Sequence, residues 1–374
     1  MKILLIGSKN RVITFANQLV EKDIDVHIIS NRSMKNGEFG NVDSRIIFHE
    51  DLLNKLKKDA KNKYPVIKFP FTLFTLKRLI TKIKPDIIHA FFIQGHGWYT
   101  ALSGFHHFVV TTMGSDINEN QGASSTFIKK TMLNYTIKKA DLVTVQSQQG
   151  RKEVKKIDPR KDPIIFRAGY NPDLFFPAPK PKYLIDKFSL KDKFIIISPR
   201  GFHKEFYNIE TIVQGFADFN MQVKNSFLLL LGNYNNDYGE KIKIMVEKMG
   251  IKSHSEFLGY INHDDLRDYF NLSDVAVSLT LKDGFPASLT ELMACGKPII
   301  AGENKSINEL IDNNKNGFTI NPTDTNELIN KLLKLYKDKS LRKRFEKNII
   351  KDVENHSAPK YCDLMINQYD LLKN

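Results

Sequence analysis

Short apolar runs that end in turn residues alternate along this chain with longer stretches in which apolar positions recur every three or four residues. The first pattern predicts strands buried on both faces and the second amphipathic helices, and their alternation predicts an α/β architecture with doubly wound parallel sheets. In the first half, strands are expected at Ile3–Ile6, Asp25–Ile29, Asp86–Ala90, Phe108–Thr112 and Asp141–Gln146. Helices fit between them at Thr14–Glu21, Phe71–Ile83 and Thr126–Lys139. Four prolines, Pro172, Pro177, Pro179 and Pro181, then fall between Asn171 and Lys191, where neither a helix nor a central strand accommodates them. The rhythm restarts with strands at Phe194–Ser198, Phe227–Leu231, Glu256–Leu258, Val275–Ser278, Pro298–Ala301 and Gly317–Ile320. Helices are expected there at Ile209–Phe219, Glu240–Met249, His263–Asn271, Ala287–Cys295, Ile307–Asp312 and Thr325–Asp338.

This divides the chain into a first α/β domain over 1–170, a Pro-rich linker over 171–191, a second α/β domain over 192–355 and a terminal helical segment over 356–374. A length of 374 residues agrees, since single cores stop growing beyond about 250–300 residues. Two such domains imply a cleft, and ligands of open α/β sheets sit at the carboxyl ends of the strands.

Composition narrows the class. A hydrophobic share of 41% excludes a disordered chain, and no apolar run approaches the roughly 20 residues of a spanning helix. Cys295 and Cys362 are the 2 cysteines, too few for a disulfide framework or a thiolate zinc site, which fits a reducing, cytoplasmic setting. The opening run Met1–Ile6 is too short for a secretion signal and reads as a strand. The net charge of +14 is uneven: residues 1–170 hold 28 Lys and Arg against 15 Asp and Glu, leaving 28 against 27 for the rest. The basic half would attract anionic lipid, nucleic acid or a phosphorylated substrate. Between Phe69 and Lys84, apolar Phe69, Leu73, Leu76, Ile80 and Ile83 run beside Lys68, Lys77, Arg78, Lys82 and Lys84. A core helix with a solvated basic face is the favoured reading, and a membrane-surface helix is the other.

The most informative stretch is Leu279 to Pro298: a strand end, the turn Lys282-Asp283-Gly284-Phe285-Pro286, a helix from Ala287, and the stop Cys295-Gly296-Lys297-Pro298. Amides at the helix start around Ala287 to Leu289 form an anion site. Asp283 precedes it and Glu291 lies one turn inside, where a carboxylate can accept hydrogen bonds from adjacent sugar hydroxyls. Together they suggest a phosphate-linked sugar or nucleoside. A second constellation is Ile197-Ser198-Pro199-Arg200-Gly201-Phe202-His203-Lys204, in which a buried strand ends in a loop with two cations four residues apart. Such donors stabilise the charge that builds on a departing diphosphate.

Two acids separated by seven residues, then a helix closing in Ala-x-Gly-x-Pro, resemble the mark of the family-4 glycosyltransferases of the GT-B fold, with Asp283 where Glu is usual. The resemblance implies two Rossmann-like domains facing across a cleft, the last helix returning to the first domain. It assigns Arg200 and Lys204 to the leaving diphosphate, Glu291 to the ribose, the Ser288 and Leu289 amides to the phosphates, and Asp283-Gly284-Phe285-Pro286 to the sugar. Gly259-Tyr260-Ile261 resembles the loop holding the nucleobase, and Leu231-Gly232-Asn233 the loop beside it. Gly7, after the first strand, approaches the donor phosphates in the same scheme.

In the first half, Ile88-His89-Ala90 and Val109 to Ile117 resemble two strands of the family's acceptor domain. Many relatives place a His where Met113 stands. Met cannot do acid–base work, and Asp116 and His96 are the nearby candidates, with Ser115 also on the acceptor side. The resemblance implies transfer from a UDP- or GDP-sugar to a hydroxyl of a glycan or lipid-linked acceptor, with retention at the anomeric carbon. It implies no metal and no cofactor besides the nucleotide sugar, and a role in cell-surface polysaccharide or glycolipid synthesis, peripheral at an anionic membrane. A same-fold nucleotide-sugar epimerase and a non-catalytic basic protein that binds membranes or polyanions remain alternatives. The first turn lacks G-x-G-x-x-G, no P-loop occurs and no nucleic-acid module is recognised, so redox, NTPase and nucleic-acid roles are not expected.

Overall fold

The computed structural model describes the chain apart from residues 8–9, 31–41, 50–64, 115, 118–126, 168, 203–204 and 282–284. Its described residues form two units, Met1–Gly169 with Ala358–Asn374, and Tyr170–Ser357.

In the first unit the strands are β1 (Lys2–Ile6), β2 (Asp25–Ile29), β3 (Ile47–Phe48), β4 (Ile87–Phe91), β5 (Phe108–Thr111), β6 (Leu142–Val145) and β7 (Ile164–Ile165). They pair in parallel in the order β3-β2-β1-β4-β5-β6-β7. The five residues of β4 are all buried, as a strand covered on both faces requires. One apolar layer packs the helix Asn10–Glu21 and the C-terminal helix Ala358–Lys373 on one face, through Phe15, Leu19, Met365 and Tyr369. On the other lie the helices Pro65–Ile83, Trp98–Ser103 and Phe127–Lys139, through Leu76, Leu79, Ala101, Leu133 and Ile137.

The second unit repeats the plan with β8 (Phe194–Ser198), β9 (Ser226–Leu231), β10 (Ser255–Gly259), β11 (Val275–Ser278), β12 (Ile299–Gly302) and β13 (Phe318–Ile320), parallel in the order β10-β9-β8-β11-β12-β13. β9 is apolar except for its first residue and buried throughout. Helices Ile209–Gln222, Thr325–Lys337 and Asp237–Lys248 cover one face, and Ala287–Ala294 with part of Lys339–Val353 the other. Among the described residues no helix is long and apolar enough to cross a membrane.

Three expectations need correction. The Pro-rich stretch holds a short helix, Lys182–Lys187, which starts after Pro181, a residue compatible with a helix start though not with its interior. Residues 307–312 are turns rather than a helix: Asn304 Oδ1 accepts from the amides of Ser306 and Ile307, and Asn316 Oδ1 from that of Asp312. These local side-chain bonds compete with a helical ladder. The helix Pro65–Ile83 buries Leu76, Leu79 and Ile83 but leaves Phe71 and Phe74 exposed, so its solvent side is not only basic.

Candidate functional site

In the second sheet the strand order reverses direction between β8 and β11, and the crevice outside the carboxyl ends of such a pair is where open α/β sheets bind ligands. The two loops that leave those strands are the basic loop and the acidic-motif loop. Arg200 stands two residues beyond β8, its guanidinium 5.0 Å from the centre of the Tyr207 ring. The loops are joined directly: the Leu281 amide donates to the Phe206 carbonyl at 2.8 Å. Asn208, in the left-handed region at φ 56°, donates through its side-chain amide to the carbonyls of Leu279 and Pro322, lacing the ends of β11 and β13 to the basic loop. Asn tolerates that backbone region better than most residues.

The loops after β9 and β10 close on the same end. Gly232 has φ 116°, and a Cβ there would lie 2.5 Å from Gly201 Cα, so only glycine lets the β9 loop reach the basic loop. The Gly232 amide also donates to the Gly259 carbonyl at 2.9 Å. This brings Gly259, Tyr260 and Ile261 beside the basic loop, with Ile261 half-buried and Tyr260 64% exposed.

Beyond β11, Phe285 is buried and Pro286 precedes the helix Ala287–Ala294, which has no acid in its first turn and no side-chain cap among the described residues. Leu289 differs from expectation, because its amide donates to the Pro286 carbonyl at 3.1 Å and its side chain is in the core. Ala287 and Ser288 therefore carry the first-turn amides that the helix itself does not satisfy. Ser288 Oγ is buried and unpartnered, as are the hydroxyls of Ser198, Ser278 and Thr280 at the ends of β8 and β11. Buried polar atoms without partners carry a desolvation cost that a polar ligand would relieve.

Glu291 is 9% exposed, and its Oε1 accepts from His263 Nε2 at 2.9 Å. Burial works against the charged imidazole, but the hydrogen bond and charge of Glu291, with the charge of Asp264, hold His263 above its ordinary range. Phe175 meets the same ring edge-on at 5.1 Å. Sequence reasoning passed over His263 except as a helix start, since no fixed spacing links it to Glu291.

In the first unit the switch point falls between β1 and β4. Gly7 closes β1 where a Cβ would lie 2.9 Å from Val12. After β4, Phe92 sits at φ 88°, an unusual backbone for a bulky residue, and a tight turn follows over Ile93–Gly97. Asp116 clamps this turn to the end of β5: its carboxylate accepts from the amides of Ile93 at 2.9 Å and Met113 at 2.7 Å. Fully buried, the carboxylate ties the two loops together. His96 donates from Nδ1 to the Phe91 carbonyl at 2.8 Å, which fixes the orientation of the ring. Met113 is buried, with its sulfur 3.2 Å from Gln146 Nε2.

Lys204, Asp283, Gly284 and Ser115 lie outside the described residues. Among those described, no group of three or more His, Cys, Asp or Glu could hold a metal ion.

Residues 2–147 match the family described as "Glycosyl transferase 4-like", and residues 182–352 that described as "Glycosyl transferases group 1". Over 345 residues the chain is 26% identical to N-acetyl-alpha-D-glucosaminyl L-malate synthase of Bacillus anthracis, a match covering 87% of this chain and 83% of that protein. It is 24% identical over 241 residues to an uncharacterized glycosyltransferase of Methanocaldococcus jannaschii, 63% of this chain, and spans 60% of the length of that relative. Among solved structures, Anabaena HepE in complex with UDP-glucose superposes with a TM-score of 0.78 at 14% identity, covering 99% of this chain and 100% of that one. At that identity the likeness speaks to fold, and the fold is GT-B. With a matched glycosyltransferase domain in each of its two α/β units, the chain belongs to the GT-B glycosyltransferases.

Proposed function

We propose that the protein transfers a sugar, with retention at the anomeric carbon and without a metal ion, from a nucleotide-diphosphate sugar to a hydroxyl of a glycan or lipid-linked acceptor. The observation that carries this reading is the meeting of Arg200, the first helical turn at Ala287 and Ser288, and the buried Glu291 carboxylate around one strand switch point. Cationic and amide donors suit a diphosphate, and a carboxylate one turn away suits a ribose diol. HepE, whose fold this chain shares, is described with UDP-glucose, which favours UDP over GDP as the carrier.

In this reading Glu291 holds the ribose and Tyr260 offers a face to the base. The Ala287 and Ser288 amides, Ser288 Oγ, Arg200 and Lys204 surround the diphosphate, and Asp283 to Pro286 line the sugar. As the bond from the anomeric carbon to the phosphate oxygen breaks, negative charge grows on the diphosphate, where fixed donors stabilise it. The acceptor oxygen bonds to the same face of the anomeric carbon, and its proton passes to the leaving phosphate oxygen. No protein base is required, which is consistent with a Met at position 113 and a clamped Asp116.

A lipid-linked acceptor is favoured by the surface of the first unit. Phe71 and Phe74 are exposed near Lys77 and Arg78, and Phe127 and Ile128 are 86% and 70% exposed beside Lys129 and Lys130. Apolar rings among cations suit an anionic bilayer.

The test is slow donor hydrolysis without acceptor, followed by proton NMR. An α-linked UDP-sugar should release the α-anomer first. Release of the β-anomer would contradict retention, and conversion of the intact donor to another nucleotide sugar would identify an epimerase.

A further inference from the structure

We propose that His263 is a positioning residue for donor recognition, one that holds the Glu291 carboxylate by a single oxygen so that the other is presented to the ribose. This rests on the reading of Glu291 as the ribose acceptor. His263 Nε2 contacts Oε1 at 2.9 Å, whereas Oε2 has no protein partner among the described residues. A neutral imidazole protonated at Nε2 and an imidazolium both donate in this geometry, so the carboxylate is held in either state.

The ring is itself held. Phe175, 1% exposed, packs edge-on against it from the segment that enters the second unit. His263 opens the turn His263–Asp265, which is separated from Gly259-Tyr260-Ile261 by Asn262 alone. The loop proposed for the base and the carboxylate proposed for the ribose are thus tied by one hydrogen bond across 28 positions. A free glutamate would sample several rotamers and lose that freedom on binding; here the loss is met in folding, which is preorganisation of the site.

The experiment compares UDP and GDP with their dideoxy counterparts, which lack both ribose hydroxyls, by calorimetric titration of wild type, Glu291→Ala, His263→Phe and His263→Gln. Wild type should prefer the diol nucleotide by about tenfold or more, as for loss of a charge-assisted hydrogen bond. Glu291→Ala should bind both alike. His263→Phe, which keeps a ring against Phe175 but donates nothing, should reduce the preference to about twofold, and His263→Gln, whose amide can donate, should restore most of it. A His263→Phe protein with the full wild-type preference overturns the inference while leaving Glu291 in place. No preference in wild type, with no effect of Glu291→Ala, overturns the ribose reading and this inference with it. If His263→Phe does not fold, His263→Ala serves for the same comparison, since rescue by Gln separates donation from packing.

Discussion

His89 Nδ1 lies 2.6 Å from the Tyr369 hydroxyl, joining the middle of the first sheet to the last helix across 280 positions. His89 Nε2 meets Thr111 Oγ1 at 2.6 Å, and both His89 and Tyr369 are fully buried. The first unit is therefore built from both ends of the chain, with a polar bond set among Phe15, Phe91 and Phe166. Replacing Tyr369 by Phe removes the hydroxyl and strands Nδ1. Urea unfolding should show a loss of about 1–3 kcal/mol, the cost of an unsatisfied buried group.

The same burial pushes the His89 imidazole down to about 3. In the unfolded chain it titrates near its ordinary value, so between that value and about 3 the unfolded state binds the extra proton. The stabilisation is complete above about pH 6.5 and is lost as pH falls, by roughly 1.4 kcal/mol per unit for this one group. Unfolding midpoints of wild type and His89→Gln should converge on acidification, and parallel curves would contradict it.

His263 runs the other way. Its folded value is raised, so its pairing with Glu291 contributes most below about pH 6.5 and fades as pH rises through the folded value. His263→Gln should therefore cost more stability at pH 6 than at pH 9, measured by the same unfolding curves.

Much of the scaffold was legible because strands buried on both faces write themselves as apolar runs, as in Phe194–Ser198 and Ser226–Leu231. Two-residue edge strands such as Ile47–Phe48 and Ile164–Ile165 carry too little pattern to be seen. The helix Lys339–Val353 was overlooked although Leu341, Phe345, Ile349 and Val353 repeat every four residues, because Lys and Arg fill the positions between. In the site, Arg200 and Glu291 stood out as charges beside turn residues. His263 and Asn208 did not, since their work depends on contacts made only when distant loops meet.

Two glycines separate loop assembly from backbone strain. Gly232 and Gly250 both have positive φ, but a Cβ at Gly250 meets open space whereas one at Gly232 meets Gly201. Gly250→Ala should cost about 1–2 kcal/mol and leave nucleotide affinity unchanged. Gly232→Ala must also displace the basic loop, and should weaken nucleotide binding by about tenfold or more in a titration.

The exposed aromatics of the first unit give a separable test. Sedimentation with phosphatidylglycerol vesicles should exceed that with phosphatidylcholine and fall with added salt. Changing Phe71, Phe74 and Phe127 to Ser should abolish most of it without altering nucleotide-induced stabilisation. Equal partition to both lipids would remove the membrane argument.

The central claim is that a nucleotide-diphosphate sugar binds at the β8 and β11 switch point, and thermal unfolding tests it most directly. UDP, GDP, ADP and their common sugar conjugates are compared on wild type, Glu291→Ala and Arg200→Ala. A nucleotide at a hundredfold its dissociation constant should add about 2.7 kcal/mol to wild type. The account predicts that one base stabilises wild type and that both variants lose the effect while remaining folded. Stabilisation that survives in both variants, or none by any nucleotide on a folded wild type, would contradict it.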